Sequence, residues 1–204
     1  MNGRTVHHPT IILASASPRR GQLLASAGIV VEAVSSRISE DFLPGETARD
    51  HVRRLAEAKA RAVAALRQSR FFIGADTVVV CGDEVMGKPR DRRDAERMLR
   101  KLSGGPHEVI TGYAVYDAIE DRVRVGASTT RVYFKPLEAG EIAAYVATGC
   151  SLDKAGAYGI QGRAAYMIAR IEGSYTNVVG LPLCETVDAL VHMGAVSYAS
   201  GHDV

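Results

Sequence analysis

The sequence predicts an α/β fold built on a mixed β-sheet with helices packed against it. Three observations predict it. Strand-like and helix-like segments are interspersed along the chain, but without the strict βαβ alternation of a purely parallel sheet. Two long strand-like runs, Val109 to Tyr116 and Arg122 to Phe134, follow one another closely enough to pair as antiparallel neighbours. Neither GxGxxG after the first strand nor GxxxxGK(S/T) anywhere is present, which removes the usual support for a dinucleotide-binding or P-loop architecture.

Each element has a local cause. Thr10 to Ala14 is an apolar run that reads as a buried strand, leading into Ser17-Pro18, an N-cap followed by proline at the first helical position. The helix that follows carries Leu23 and Leu24 and stops at Gly28, and Val30 to Val34 is a second strand. A long helix is expected from Thr47 to Leu66. Thr47-Ala48-Arg49-Asp50 resembles a capping box, and Val52, Leu55, Ala62, Val63 and Leu66 form an apolar stripe. Phe71 to Val80 reads as strand, Gly82-Asp83 as a turn, and Glu84 to Met86 as a short returning strand. Asp91 to Leu102 is helix, stopped by Ser103-Gly104-Gly105-Pro106. After the long strand pair, Glu138 to Thr148 is helix ended at Gly149, Ala165 to Ile171 is strand, and Pro182 to Met193 is the last helix.

The 204 residues fit one domain, or one with two lobes, spanning 1–204 with residues 1–9 and 195–204 as loose tails. A net charge of +2 excludes the broad basic surface of a nonspecific nucleic-acid binder, so any positive potential must be local. Cys81, Cys150 and Cys184 are scattered and form no CxxC pair, as expected of reduced thiols in the cytoplasm. No apolar run is long enough for a membrane span or a signal peptide.

Six segments carry residues suited to a polyanion or to the cation that accompanies it. Ser15 to Arg20 lies at a strand-to-helix turn, where free backbone N–H groups favour an anion. Arg19 and Arg20 project from it in different directions, and either the segment is a solvated cap or one arginine forks onto a phosphate. Lys59 falls on the apolar stripe of the long helix, four residues from Leu55 and from Val63. It reads either as a lysine snorkelling at the stripe edge or as an ammonium aimed inward. Glu40 sits upstream in a polar loop and alone reads as a surface acid.

Asp76 interrupts the apolar run Ile73 to Val80. A carboxylate in a buried strand must be paired, hold a metal, or lie at an open end of the strand, where it could also take a proton from an attacking water. Gly87-Lys88-Pro89 is a weaker signal. Asp153 to Gly162 places Lys154 and Gln161 at either end of a track with three glycines, a cation and an amide bracketing a backbone free to approach a ligand. Ile171 to Pro182 is a Gly/Ser/Asn turn leading into a helix, suited equally to structure and to ligand or dimer contact.

In this order, LASASPRR, RLAEAKA, IGADTVV, GKP, VITG, DKAGAYGIQG and GSYTNVVGLPLCET resemble the Maf family of nucleoside triphosphate pyrophosphatases over residues 13 to 186. The resemblance implies an inosine-triphosphate-pyrophosphatase-like fold: an elongated mixed β-sheet flanked by helices, with two lobes around a cleft, usually as a homodimer. It implies hydrolysis of a nucleoside triphosphate to the monophosphate and pyrophosphate with a divalent cation, Mg2+ first, with Mn2+ and Co2+ as alternatives. Asp76 matches the family's proton acceptor and, with Glu40, its metal contacts. Ser15, Arg20, Glu40, Lys59, Lys88 and Lys154 match substrate-contact positions, and Arg19, Thr77 and Gln161 match the specificity positions of the branch acting on dTTP and UTP.

The same resemblance admits two alternatives. One is a nucleotide-binding regulator of septum formation; the other is the same chemistry on another base, such as 7-methyl-GTP. Two departures stand out. Gly149-Cys150-Ser151-Leu152 replaces the usual Gly-Glu-Pro, and Arg37-Ile38-Ser39-Glu40 replaces Asp-Ile-Asp-Glu. Each removes a carboxylate expected near the cleft, which bears on metal stoichiometry and turnover more than on substrate class.

Overall fold

A computed structural model describes residues 10–197, so the tail expected at 1–9 and residues 198–204 of the tail expected from 195 lie outside the described residues. The elements are β1 (Ile11–Ala14), α1 (Pro18–Ser26), β2 (Val31–Ala33), α2 (Ala48–Ala64), β3 (Phe71–Cys81), β4 (Glu84–Met86), α3 (Arg92–Leu102), β5 (Pro106–Asp117), β6 (Arg122–Phe134), α4 (Ala139–Ala147), β7 (Ile168–Glu172), α5 (Tyr175–Val179) and α6 (Leu183–His192). Seven strands make one sheet in the order β2-β1-β3-β5-β6-β7, with β4 paired to β3 off this path. β1 is parallel to β2 and β3, and every other pairing is antiparallel. The sheet is mixed and flanked by helices, as the sequence predicts.

The pairing of β3 leaves part of one edge open. Along one edge β5 covers β3 from Phe71 to Val80 without a break. Along the other edge β1 covers only Phe71 to Gly74, and β4 covers it only from Val79 to Cys81. Residues 75–78 are therefore left with no strand on that side. The pleat sends alternate side chains to opposite faces, yet at an uncovered edge both faces open into the same space.

The faces have separate cores. Residues Phe71, Ile73 and Ala75 of β3 join β1, α1 and α6 in one apolar cluster. Val79, on the same face further along, joins α3, α4 and Tyr158 in another. The first cluster is the core of a near lobe and the second that of a far lobe, and the uncovered stretch of β3 lies between them. On the opposite face α2 lies close against the sheet. A Cβ built on Gly74 would stand 1.9 Å from the Ala56 carbonyl oxygen, and one on Gly112 would stand 2.1 Å from that of Val52. Only glycine permits this approach, and the approach brings Lys59 within reach of β3.

Several element boundaries differ from the sequence expectation. α2 ends at Ala64 and turns through Ala65, so Leu66 leaves the stripe and is exposed, while Ala62 is only half-buried. Val30 precedes β2 and is exposed, although the Val34 N–H still reaches the Leu13 carbonyl. Residues 165–167 form a 3-10 turn rather than the start of β7, because Ala165 and Met167 donate to Gly162 and Ala164. The Gly/Ser/Asn turn contains a short helix, α5, whose N-cap Ser174 accepts from the Asn177 N–H, and Pro182 is the N-cap of α6 rather than its first residue. Ala195, expected in the frayed tail, is buried against the near lobe and donates its N–H to Leu190.

Candidate functional site

β1 ends at Ala14, and the chain turns through Ser15 into α1. Ser17 is the N-cap and Pro18 the first helical residue, but the Ser17 side chain makes no cap; its own N–H donates to Ser15 Oγ at 3.2 Å. Arg20, one turn into α1, points at the uncovered edge of β3. Its Nε donates to the Gly180 carbonyl (2.7 Å), Nη1 to Ser15 Oγ (3.0 Å) and the Ala75 carbonyl (2.9 Å), and Nη2 to Thr77 Oγ1 (3.0 Å). A guanidinium has five N–H donors, so one on Nη2 is left. Burial draws the Arg20 pKa below its ordinary value while Asp76 nearby opposes the shift; an arginine starts high enough to stay charged.

The α2 face holds the acids. Lys59 is buried, and its Nζ lies 2.6 Å from Asp76 Oδ1 and 2.6 Å from Glu40 Oε1. The snorkelling alternative is thereby excluded, because the ammonium points inward and is paired twice. Asp76 is buried and has no protein donor on Oδ2 among the described residues. Glu40 is half-exposed. Burial works against its charge, but the Lys59 hydrogen bond and the nearby charges of Lys59, Lys88 and Arg20 outweigh it and hold the carboxyl below its ordinary range.

The irregular segment that carries Glu40 is fastened to α2. Arg54 donates to Glu46 from Nε (2.6 Å) and to the Asp41 carbonyl from Nη2 (3.0 Å), and His51 Nδ1 meets Glu46 Oε2 at 3.0 Å. The Arg54 hydrogen bond is the main cause that brings the Glu46 carboxyl down to about 2. Phe42 stacks flat on His51 with ring centroids 3.5 Å apart.

The far lobe faces these groups. Residues 155–157 form a 3-10 turn whose Gly156 N–H donates to the Gly87 carbonyl at 3.1 Å, docking the glycine-rich segment on the loop that carries Lys88. Lys154 Nζ donates to the Cys150 carbonyl (2.6 Å) and pairs with Asp153. Across the cleft mouth Arg19 Nη1 reaches Asp153 Oδ2 at 3.3 Å. Of the two sequence departures, Cys150 does line the cleft, whereas Ser151 is buried with its Oγ unpartnered among the described residues and Ser39 bonds Asp41 instead of lining the cleft.

Together these surfaces enclose a cleft of about 820 Å³. That is within the range of small-molecule sites. Every residue singled out from the sequence lines it: Ser15, Arg19, Arg20, Glu40, Lys59, Asp76, Thr77, Lys88, Lys154 and Gln161. Asp76 and Thr77 are neighbours on β3 with opposite side-chain directions, and both reach the cleft because it wraps around the uncovered edge. Thr77 Oγ1 meets Thr111 Oγ1 at 3.0 Å, and Thr111 donates to the Asn177 carbonyl, tying the edge to α5. The lining carries six arginines and lysines against three carboxylates, so its field favours an anion.

No group of three or more His, Cys, Asp or Glu among the described residues is arranged to hold a metal by itself. Asp76 and Glu40 nevertheless converge on one point, now held by the Lys59 ammonium. Two carboxylates without nitrogen or sulfur donors fit a hard divalent cation whose remaining ligands are phosphate oxygens and water. They do not fit zinc.

Tyr158, Tyr145, Asp153 and the Phe42–His51 pair also line the cleft and were not singled out beforehand. Asp153 opens the glycine-rich segment and could have been flagged from its neighbours. Nothing local marks the other four.

The fold and this cleft define an α/β protein with an electropositive, metal-compatible cleft at an uncovered strand edge. The chain belongs to the family described as Maf-like protein, whose profile matches residues 10–193. Similar curated proteins include the "dTTP/UTP pyrophosphatase" of Geotalea uraniireducens, 66% identical over 91% of this chain and 96% of its own length. That of Geobacter metallireducens is 62% identical over 91% and 97%, and that of Pelotomaculum thermopropionicum 48% identical over 90% and 96%. A solved protein of Vibrio cholerae aligns at a TM-score of 0.45 and 14% identity over 90% of this chain and 94% of that one, too distant to carry an argument.

Proposed function

We propose that this protein hydrolyses dTTP and UTP to the nucleoside monophosphate and pyrophosphate. The observation that carries the reading is the convergence of Asp76, Glu40 and Lys59 at the uncovered edge of β3, inside a cleft with an excess of cations. The names of the similar curated proteins support the reaction and the bases. Asp76 and Glu40 would hold a divalent cation, Mg2+ in the first instance. When bound, it would neutralise charge on the triphosphate oxygens.

The chain's own groups supply the rest. Lys88, exposed and without an ion-pair partner among the described residues, meets the phosphate tail. Lys154 reaches the same tail by exchanging its backbone and Asp153 contacts. Arg20 offers its one remaining N–H and its charge, while fixing Ser15 and Thr77. The free Oδ2 of Asp76 takes the proton of a water that attacks the α phosphorus; the bond from that phosphorus to the α–β bridging oxygen breaks, and pyrophosphate leaves. Cations fixed around the leaving group stabilise the charge it gains. Gln161 presents an amide that both donates and accepts, as the O4/N3 edge of thymine or uracil requires, with Arg19 and Thr77 alongside.

A homodimer and a cytoplasmic setting belong to the same proposal; no helix among the described residues is long and apolar enough to cross a membrane. The test is pyrophosphate release from a panel of nucleoside triphosphates with Mg2+, using the wild type and Asp76→Asn. Turnover should favour dTTP and UTP and fall by about 100-fold or more in the variant. Undiminished turnover by the variant removes Asp76 from the mechanism. Tight binding without turnover of any triphosphate leaves a nucleotide-binding regulator instead.

A further inference from the structure

The segment that carries Gln161 is held at one end by a buried histidine that plays no part in the chemistry above. Tyr158 and Ile160 are anchored in different places: Tyr158 in the far-lobe core, Ile160 against the near-lobe core. Residues 158–160 therefore cross the cleft as a short strap, and Gln161 follows directly. His107, on β5, is 2% exposed, and its Nε2 meets the Tyr158 hydroxyl at 2.7 Å. The His107, Tyr158 and Phe134 rings pack edge to face, with centroids 4.8 to 5.3 Å apart. Such a trio has little freedom to slide.

The backbone entering the strap is strained. Gly156 and Ala157 take successive left-handed conformations at φ +66° and +63°, and alanine rarely does so. A conformation of this kind persists only when its surroundings over-determine it. Residue 156 is fixed by the Gly87 carbonyl and residue 158 by His107. The other His107 nitrogen, Nδ1, is buried with no partner among the described residues. A histidine retained at that cost in the apolar far-lobe core, where phenylalanine would pack, points to the single bond it makes.

We propose that His107 is a positioning residue for base recognition: through the Tyr158 hydroxyl it fixes the strap and hence the place of Gln161 in the cleft. The inference rests on the dTTP/UTP reading, since it assigns Gln161 to the base. Loosening the strap should weaken recognition of the base and leave the phosphate chemistry at Asp76, on the far side of the sheet edge, largely intact.

The experiment compares wild type, His107→Phe, Tyr158→Phe and the double variant. Steady-state kinetics on dTTP, UTP and dCTP are measured together with thermal melting and deuterium uptake by the 156–162 segment. Tyr158→Phe keeps the ring packing, so it remains informative where His107→Phe folds poorly. Either single variant should raise KM for dTTP roughly tenfold, with kcat changed less than about twofold, and should narrow the preference for dTTP over dCTP. Uptake at 156–162 should quicken, and the double variant should be no worse than the singles, because both remove one bond. Unchanged KM and uptake, a loss confined to kcat, or additive effects would each overturn the proposal. If the wild type turns over no triphosphate, the functional reading has failed on its own. Deuterium uptake then still decides whether His107 holds the strap.

Discussion

Replacing Lys59 with methionine tests the centre of the site. Lys59 Nζ stands 2.6 Å from both Asp76 Oδ1 and Glu40 Oε1, and Lys59 and Asp76 are both buried. Methionine preserves most of the side chain's volume and removes only the charge. Glu40, half-exposed, regains water and contributes little to the cost. Asp76 cannot, and a buried carboxylate stripped of its partner typically costs about 3 to 5 kcal/mol. For a chain of this size each kcal/mol moves the melting temperature by about 2 to 4 °C, so Lys59→Met should melt roughly 6 to 20 °C below the wild type. The cycle is completed with Asp76→Asn. Removing both charges leaves no buried ion unpaired, and the double variant should recover most of the loss. Melting is followed by circular dichroism in a metal-free buffer at neutral pH. A Lys59→Met variant that melts within a degree or two of the wild type, or a double variant that melts no higher than Lys59→Met, would refute the reasoning.

Other predictions follow from the same geometry. Gly74→Ala or Gly112→Ala drives a methyl into the α2 backbone, and either should destabilise by about 3 kcal/mol or more in urea titrations, because the obstacle is main chain. Arg20→Lys keeps the charge but cannot reach Gly180, Ser15, Ala75 and Thr77 together. About 2 to 3 kcal/mol should be lost, with the urea midpoint as readout. Burial holds the His107 pKa down to about 4, below its ordinary 6.5. Between those values the unfolded chain binds the extra proton, so this contribution is full above pH 6.5 and fades as pH falls towards 4. It amounts to at most about 3 kcal/mol. The pH dependence of the urea midpoint in His107→Phe should be flatter than wild type across that window.

Much of the site was legible because polar residues in apolar patterns are conspicuous. Lys59 stood on a helical stripe and Asp76 in a strand-like run, and each needed a partner that the other supplies. Their direct pairing was not legible, since it depends on how closely α2 approaches the sheet. That approach is set by Gly74 and Gly112, two glycines that look ordinary in sequence. Boundaries failed where tertiary packing decides. Leu66 fits the period of α2, but the helix ends two residues earlier and turns it outward. Ala195 looked like tail because nothing in its neighbours announces the near-lobe core that it completes. His107 reads as one polar residue before a strand, and its link to Tyr158, 51 residues later, has no local signature.

The cations of the cleft divide by what they already hold, and the division changes the meaning of Arg20. From sequence, Arg20 and Lys88 look alike as phosphate ligands. In the fold, Arg20 has four of its five donors committed to protein acceptors, among them the Ala75 carbonyl that the missing strand leaves unpaired. A buried carbonyl without a partner is costly, so Arg20 stands in for the absent strand at the point where β1 stops. The opening in the sheet edge and the residue that makes it tolerable are one device. Lys88, exposed and unpaired among the described residues, is free to follow a ligand's charge. Substitution of Lys88 should therefore weaken ligand binding with little effect on stability. Substitution of Arg20 should damage the edge itself, and with it the positions of Ser15 and Thr77.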